Sequence, residues 1–77
     1  MNTQRIDIAD FARHRGPWGT TCNEAERALG LLHEAASAAC SRLKRAGILV
    51  PNGERRLTAS GRKAEVLVHR DYAETID

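Results

Sequence analysis

Large side chains are what this 77-residue chain has least of. It carries one Phe, one Trp and one Tyr, and twelve of the residues behind its 42% hydrophobic fraction are alanine. The core is therefore expected to be thin and the stability modest. No apolar run approaches the length of about eighteen residues that spans a bilayer, and the polar N-terminus has no signal-peptide core. A cytoplasmic protein away from membranes is expected. Cysteine is scarce as well: Cys22 and Cys40 lie eighteen apart and fit no Cys-x-x-Cys metal or redox pattern. In a reducing compartment they are expected to remain thiols, packed as small side chains.

Catalytic patterns are missing too. His14, His33 and His69 are scattered, no cysteine neighbours a histidine, and no Gly-x-x-x-x-Gly-Lys-Ser/Thr loop appears. Asp7 and Asp10 sit where acidic residues commonly start a helix. A chain this short has little room to enclose a substrate, so the expectation is a non-enzyme with no catalytic residues, no cofactor and no metal.

Positive charge is present, and it is unevenly placed. Residues 1–41 carry four Arg against five carboxylates, a net −1, whereas residues 42–70 carry eight Lys and Arg against two Glu, a net +6. Asp71, Glu74 and Asp77 then make the end acidic. A polyanion would be met by the second half.

Periodicity predicts a first helix in "DIADFARHRG", capped by Asp7, with Ile8, Phe11 and Ala12 on one face and Gly16 as its end. "GPWG" follows as a turn, with Trp18 expected to cover the small core. Thr21 and Glu24 form a capping-box pattern, which predicts a short second helix with Ala25, Ala28 and Leu29 inward and Gly30 left-handed at its end. Leu31 and Leu32 connect it to a third helix, the spacing of a helix-turn-helix. Its sequence, "HEAASAACSRLKRAG", places Ala36, Cys40 and Leu43 on a buried face and Glu34, Ser37, Ala38, Ser41, Arg42 and Arg45 opposite. A helix about ten to twelve ångström across fits a major groove about twelve ångström wide best when its side chains are short. Alanine also simply favours helix and close packing.

Beyond Gly47 the period changes to that of strands, in Ile48–Val50 and Ala64–His69, separated by the turn-forming "PNGE" and "TASGRK". A two-stranded antiparallel ribbon with a basic tip is expected, with Val66 and Val68 alternating against Glu65, Leu67 and His69 so that one face covers the helices and the other stays wet. The fold class is thus α+β, a winged helix-turn-helix of three helices and a two-stranded wing. Residues 1–70 form the single domain, and 71–77 an acidic tail expected to fray.

Three stretches, "RGPWGTTCNEAERALGL", "HEAASAACSRLKRAGILV" and "GERRLTASGRKAEVLV", resemble the small winged helix-turn-helix proteins of bacteriophages and prophages, especially of actinobacteria. The likeness covers roughly Ile8 to His69. The Leu-Lys-Arg-Ala-Gly-Ile-Leu stretch occurs across many winged-helix regulators, and the Ser-Gly-Arg-Lys-Ala wing is narrower. Relatives tend to carry a larger aliphatic at the position of Cys40 and a basic or polar residue at that of Ala39. The resemblance implies double-stranded DNA as the partner, transcription regulation as the role, and the cytoplasm of a bacterial or phage-infected cell as the setting.

In that reading the third helix enters the major groove and the wing grips the backbone. Arg42 is the first candidate, since its guanidinium can be bidentate to guanine or clamp a phosphate. Ser37 and Ser41 are short donors beside Ala38. His33, placed just ahead of the helix, either touches phosphate or has a capping or solvated role. Glu34 either accepts from cytosine or stabilises the helix N-terminus. Lys44 and Arg45 suit the helix C-terminus as well as DNA. Arg62 and Lys63 are expected at the wing tip beside Gly61, with Arg55 and Arg56 across the ribbon.

Ile6, Phe11 and Trp18 offer only a small dimer surface, so a monomer that pairs on DNA is expected. Two other readings stand beside regulation. The same fold can serve as an interaction module for a host protein, or as a recombination or packaging accessory that binds DNA.

Overall fold

Asp7 starts the first helix as its sequence predicts, its carboxylate accepting from the Asp10 N–H at 2.9 Å, and α1 runs Ile8–Arg15. The computed structural model describes residues 7–73, and Ile6 lies outside them. A 3-10 turn, Gly16–Trp18, leads into α2, Cys22–Leu29. The capping box at its start is complete: Thr21 Oγ1 accepts from the Glu24 N–H at 3.1 Å, and Glu24 Oε1 accepts from the Thr21 N–H at 3.3 Å. Gly30, at φ 65 and ψ 36, ends α2 in the left-handed conformation that a residue without Cβ adopts most cheaply. Helix α3, His33–Arg45, begins after only Leu31 and Leu32, which gives the tight helix-turn-helix connection.

Two strands follow, β1 (Leu49–Leu57) and β2 (Lys63–His69), paired antiparallel. The "PNGE" stretch is not a turn but lies inside β1. Pairing passes from Pro51 opposite Leu67 to Arg55 opposite Glu65, so three residues of β1 bulge against one of β2. Pro51 has no N–H to continue the ladder, and the Asn52 side chain accepts from the Glu54 N–H at 2.8 Å, which closes a local turn within the strand. The chain reverses only over Thr58–Arg62, where the Thr58 N–H donates to the Arg62 carbonyl at 2.7 Å.

The sheet is also covered on both faces, not one. Leu67, with Leu49, joins Ile8, Ala12, Ala25, Ala36 and Cys40 in the helix-side core. Val66 and Val68 are equally buried, but on the opposite face, where Gly19 lies against them. The chain from α1 crosses over that face and then bridges the free edge of β2 through Thr20 and Leu67. Three of the seven central core residues are alanines, so the helices approach closely and a thin core suffices. Ala28, expected inward on α2, is exposed. With Ala25 taking the centre and Leu29 its rim, the eight-residue helix has no buried face left for it.

Asp71–Ala73, expected to fray, belong to a short helix, α4 (Arg70–Ala73), which packs against both strands and the 3-10 turn. Asp71 pairs with Arg13 at 3.0 Å, and the Arg70 N–H donates to the Ile48 carbonyl at 2.9 Å. These ties to distant residues hold a segment that has no apolar periodicity of its own. The remainder of the expected tail, 74–77, lies outside the described residues. Three helices, a two-stranded antiparallel sheet and a short closing helix make an α+β, winged-helix-like arrangement. No helix among the described residues is long and apolar enough to cross a membrane.

Candidate nucleic-acid interface

Burial of Ala36 and Cys40 sets the rotation of α3 and leaves Glu34, Ser37, Ala38, Ser41, Arg42 and Arg45 exposed, as the helical spacing predicts. The side chains along the middle of that face are short, and the basic ones gather in the last turn. His33 is the first residue of α3 rather than its predecessor, and Leu32 holds the cap position without a side-chain hydrogen bond. The His33 ring meets Glu26 of α2 at 3.0 Å, so it ties the two helices together at their turn.

Which cations are free is decided by the carboxylates. Lys44 is ion-paired with Glu65 of β2, Arg13 with Asp71 and Arg15 with Glu24. Among the described residues, Arg27 of α2 and Arg70 of α4 are exposed with no carboxylate within ion-pair distance, and so are five cations of α3 and the ribbon: Arg42, Arg45, Arg55, Arg62 and Lys63. Two stand in the last turn of α3, two at the ribbon's turn and one across the ribbon from Glu65.

Arg56 departs from the sequence-based expectation. Instead of facing outward on the wing, its guanidinium donates to both oxygens of Glu24, Nε to Oε2 at 2.9 Å and Nη2 to Oε1 at 3.0 Å. It also donates to the carbonyls of Trp18 and Gly19, each at 3.2 Å. The reason is its register: opposite Ala64, Arg56 points to the same sheet face as Val66 and Val68, the face crossed by the Gly16–Gly19 segment. Trp18 likewise does not cover the core. It is 59% exposed and lies flat under Arg56, with the guanidinium carbon 4.1 Å from the ring centroid.

No protein-family model matches the chain, and neither does any curated protein or solved structure.

Glu24 is the electrostatic centre of this cluster. Burial pushes its carboxyl up, but the hydrogen bond from Arg56, the Thr21 N–H and the charges of Arg56 and Arg15 outweigh that and hold it below the ordinary range. The capping role of Glu24 was legible in the Thr21–Glu24 spacing. Its pairing with a residue thirty-two positions away had no sequence signal.

The two cysteines line a crevice of about 180 Å³ between α3 and β2, with Ser37, Ser41, Lys44 and Glu65. Both are free thiols, Cys40 buried and Cys22 half-buried, and burial, with Cys22 beside it, pushes the Cys40 thiol up to about 12. Among the described residues, no three His, Cys, Asp or Glu side chains gather where they could hold a metal ion. What α3 and the ribbon offer is five unpaired cations and a run of short exposed side chains. That arrangement suits a phosphate-rich surface.

Proposed function

We propose that this chain is a sequence-specific binding protein for double-stranded DNA, not an enzyme, with α3 in the major groove and the basic wing on the neighbouring backbone. The observation that carries the reading is that Arg42 and Arg45 in the last turn of α3, and Arg55, Arg62 and Lys63 on the ribbon, are exposed without a carboxylate partner on the two elements that a winged helix-turn-helix would present to DNA. Arg42, with Ser37 and Ser41, reads base edges, and Arg62 and Lys63 grip phosphates. The role of transcription regulator of phage or prophage type, acting in the cytoplasm and pairing only on DNA, follows the resemblance of the helix-turn-helix and wing stretches.

Fluorescence anisotropy with labelled duplexes, random and from the DNA flanking the chain's own gene, tests the proposal. Five phosphates neutralised would give log affinity a slope against log salt of roughly −4 to −5. Salt-sensitive binding, stronger for the flanking duplex, is the expected result. A flat salt dependence would remove the proposal, and absence of binding at low salt would turn attention to a protein partner, for which Leu32, 75% exposed, and Leu57 are the outstanding apolar features.

A further inference from the structure

The ribbon that carries Arg62 and Lys63 has little to hold it in place. A two-stranded hairpin is marginal by itself, and here the ladder is interrupted between Pro51 and Arg55, so the distal half is a lever beyond a bulge. Besides the partly exposed ion pair of Lys44 in α3 with Glu65, two attachments fix that half. One is the Ala59 N–H, which donates to Asn23 Oδ1 at 3.3 Å. The other is Arg56, whose side chain is only 19% exposed and whose donors are spent on Glu24, Trp18 and Gly19.

Both of these attachments reach the first turn of α2, and Arg56 also holds the Trp18 and Gly19 carbonyls ahead of it. Glu24 is the third residue of that helix and closes its capping box, and Asn23 precedes it. Helix α2 in turn packs on α3. The wing is thus referenced to the same helix pair that presents α3, and the stacking of Arg56 on Trp18 restrains its guanidinium from swinging away.

We propose that Arg56 and Glu24 are positioning residues for DNA binding, which hold the wing at one angle to α3 so that Arg62 and Lys63 meet the backbone while α3 occupies the groove. The inference rests on the DNA-binding reading above. Arg56 contacts no phosphate. It raises affinity by removing the conformational freedom that the wing would otherwise lose on binding.

Two variants separate this role from simple folding. Glu24→Gln keeps an oxygen for the Thr21 N–H, so the cap survives, but removes the charge that holds Arg56. Arg56→Ala removes the tie from the other side. Amide hydrogen exchange read residue by residue is the first arm: both variants should speed exchange at Thr58 and Gly61, with α3 still protected. Unchanged exchange at those amides would overturn the proposal whether or not the protein binds DNA.

DNA titration across salt is the second arm. Arg56→Ala should weaken binding on the order of tenfold and flatten the salt slope by up to about two, the contribution of Arg62 and Lys63. In an Arg62→Ala, Lys63→Ala background the same change should have no further effect. Additive losses would mean that Arg56 meets DNA itself and would overturn the positioning role. Wild-type protein that binds no duplex would overturn the DNA role of the clamp together with the function proposed above, and the exchange arm would show separately whether the clamp holds the wing.

Discussion

Thr20 and Leu67 exchange both of their backbone hydrogen bonds, each at 2.8 Å, so a single residue ahead of α2 acts as a third strand on the free edge of β2. This pairing brings Gly19 flat against the sheet. A Cβ there would lie 2.5 Å from the Leu67 carbonyl oxygen and 3.0 Å from methyl groups of both Val66 and Val68.

Gly19→Ala is therefore expected to be among the most damaging small changes in the protein. The backbone, at φ 68 and ψ −165, is in a region that only glycine populates readily, and the approach to a carbonyl cannot relax without breaking the Thr20 bridge. Strain and overpacking together predict a loss of at least about 2 kcal/mol. Gly30→Ala, at φ 65 with nothing within 4 Å, should cost only about 1 kcal/mol. Urea unfolding of both variants checks the order, and equal losses would contradict the close packing of Gly19.

Acid should weaken the fold through Glu24. Its folded carboxyl titrates below the ordinary value of 4.5, so the stability it contributes is present above 4.5 and is lost as pH falls through the folded value. Melting temperature followed from pH 6 downward should drop in that window. The drop should shrink in Glu24→Gln, which cannot titrate, and an unchanged acid profile in that variant would assign the loss elsewhere.

Alkali acts in the opposite direction on Cys40. The folded thiol is held near 12 while the unfolded one ionises near 9, so stability should fall as pH rises from about 9. At pH 8 iodoacetamide should modify half-buried Cys22 quickly and buried Cys40 only as the protein opens. Mass spectrometry of partly alkylated protein distinguishes the two sites, and equal rates would contradict the burial of Cys40.

On DNA, Arg42→Ala should cost about 1 to 3 kcal/mol and relax the preference for the best duplex. Replacing Arg62 and Lys63 by alanine should weaken all duplexes alike and flatten the salt slope. Competition titrations with matched and scrambled sequences compare the two. Identical effects on every sequence would end the division of labour between helix and wing.

Much of the local structure was legible in the chain. The Asp7 cap, the Thr21–Glu24 box and Gly30 mark helix ends because each satisfies, within three or four residues, backbone groups that a helix cannot satisfy internally. The spacing of Ala36, Cys40 and Leu43 likewise oriented α3, and with it the exposed candidates Ser37, Ser41 and Arg42, because a 3.6-residue period needs no knowledge of the partner. Short-range rules failed where a distant residue decided the outcome. "PNGE" resembles a turn, yet pairing on both sides of it with β2 keeps it within a strand. Leu67 alternates with two valines, and only the chain crossing the far face buries all three.

The charges divide along the same line. Sequence alone determined how many cations the second half holds and that Arg62 and Lys63 would share a turn. Only the tertiary structure decided which cations remain available, since a salt bridge depends on which carboxylate the fold delivers. Glu65 takes Lys44, and Glu24 takes Arg15 and Arg56. Arg55 and Arg56 are adjacent and chemically identical, but the alternation of a strand sends one to solvent and the other onto Trp18 and Glu24.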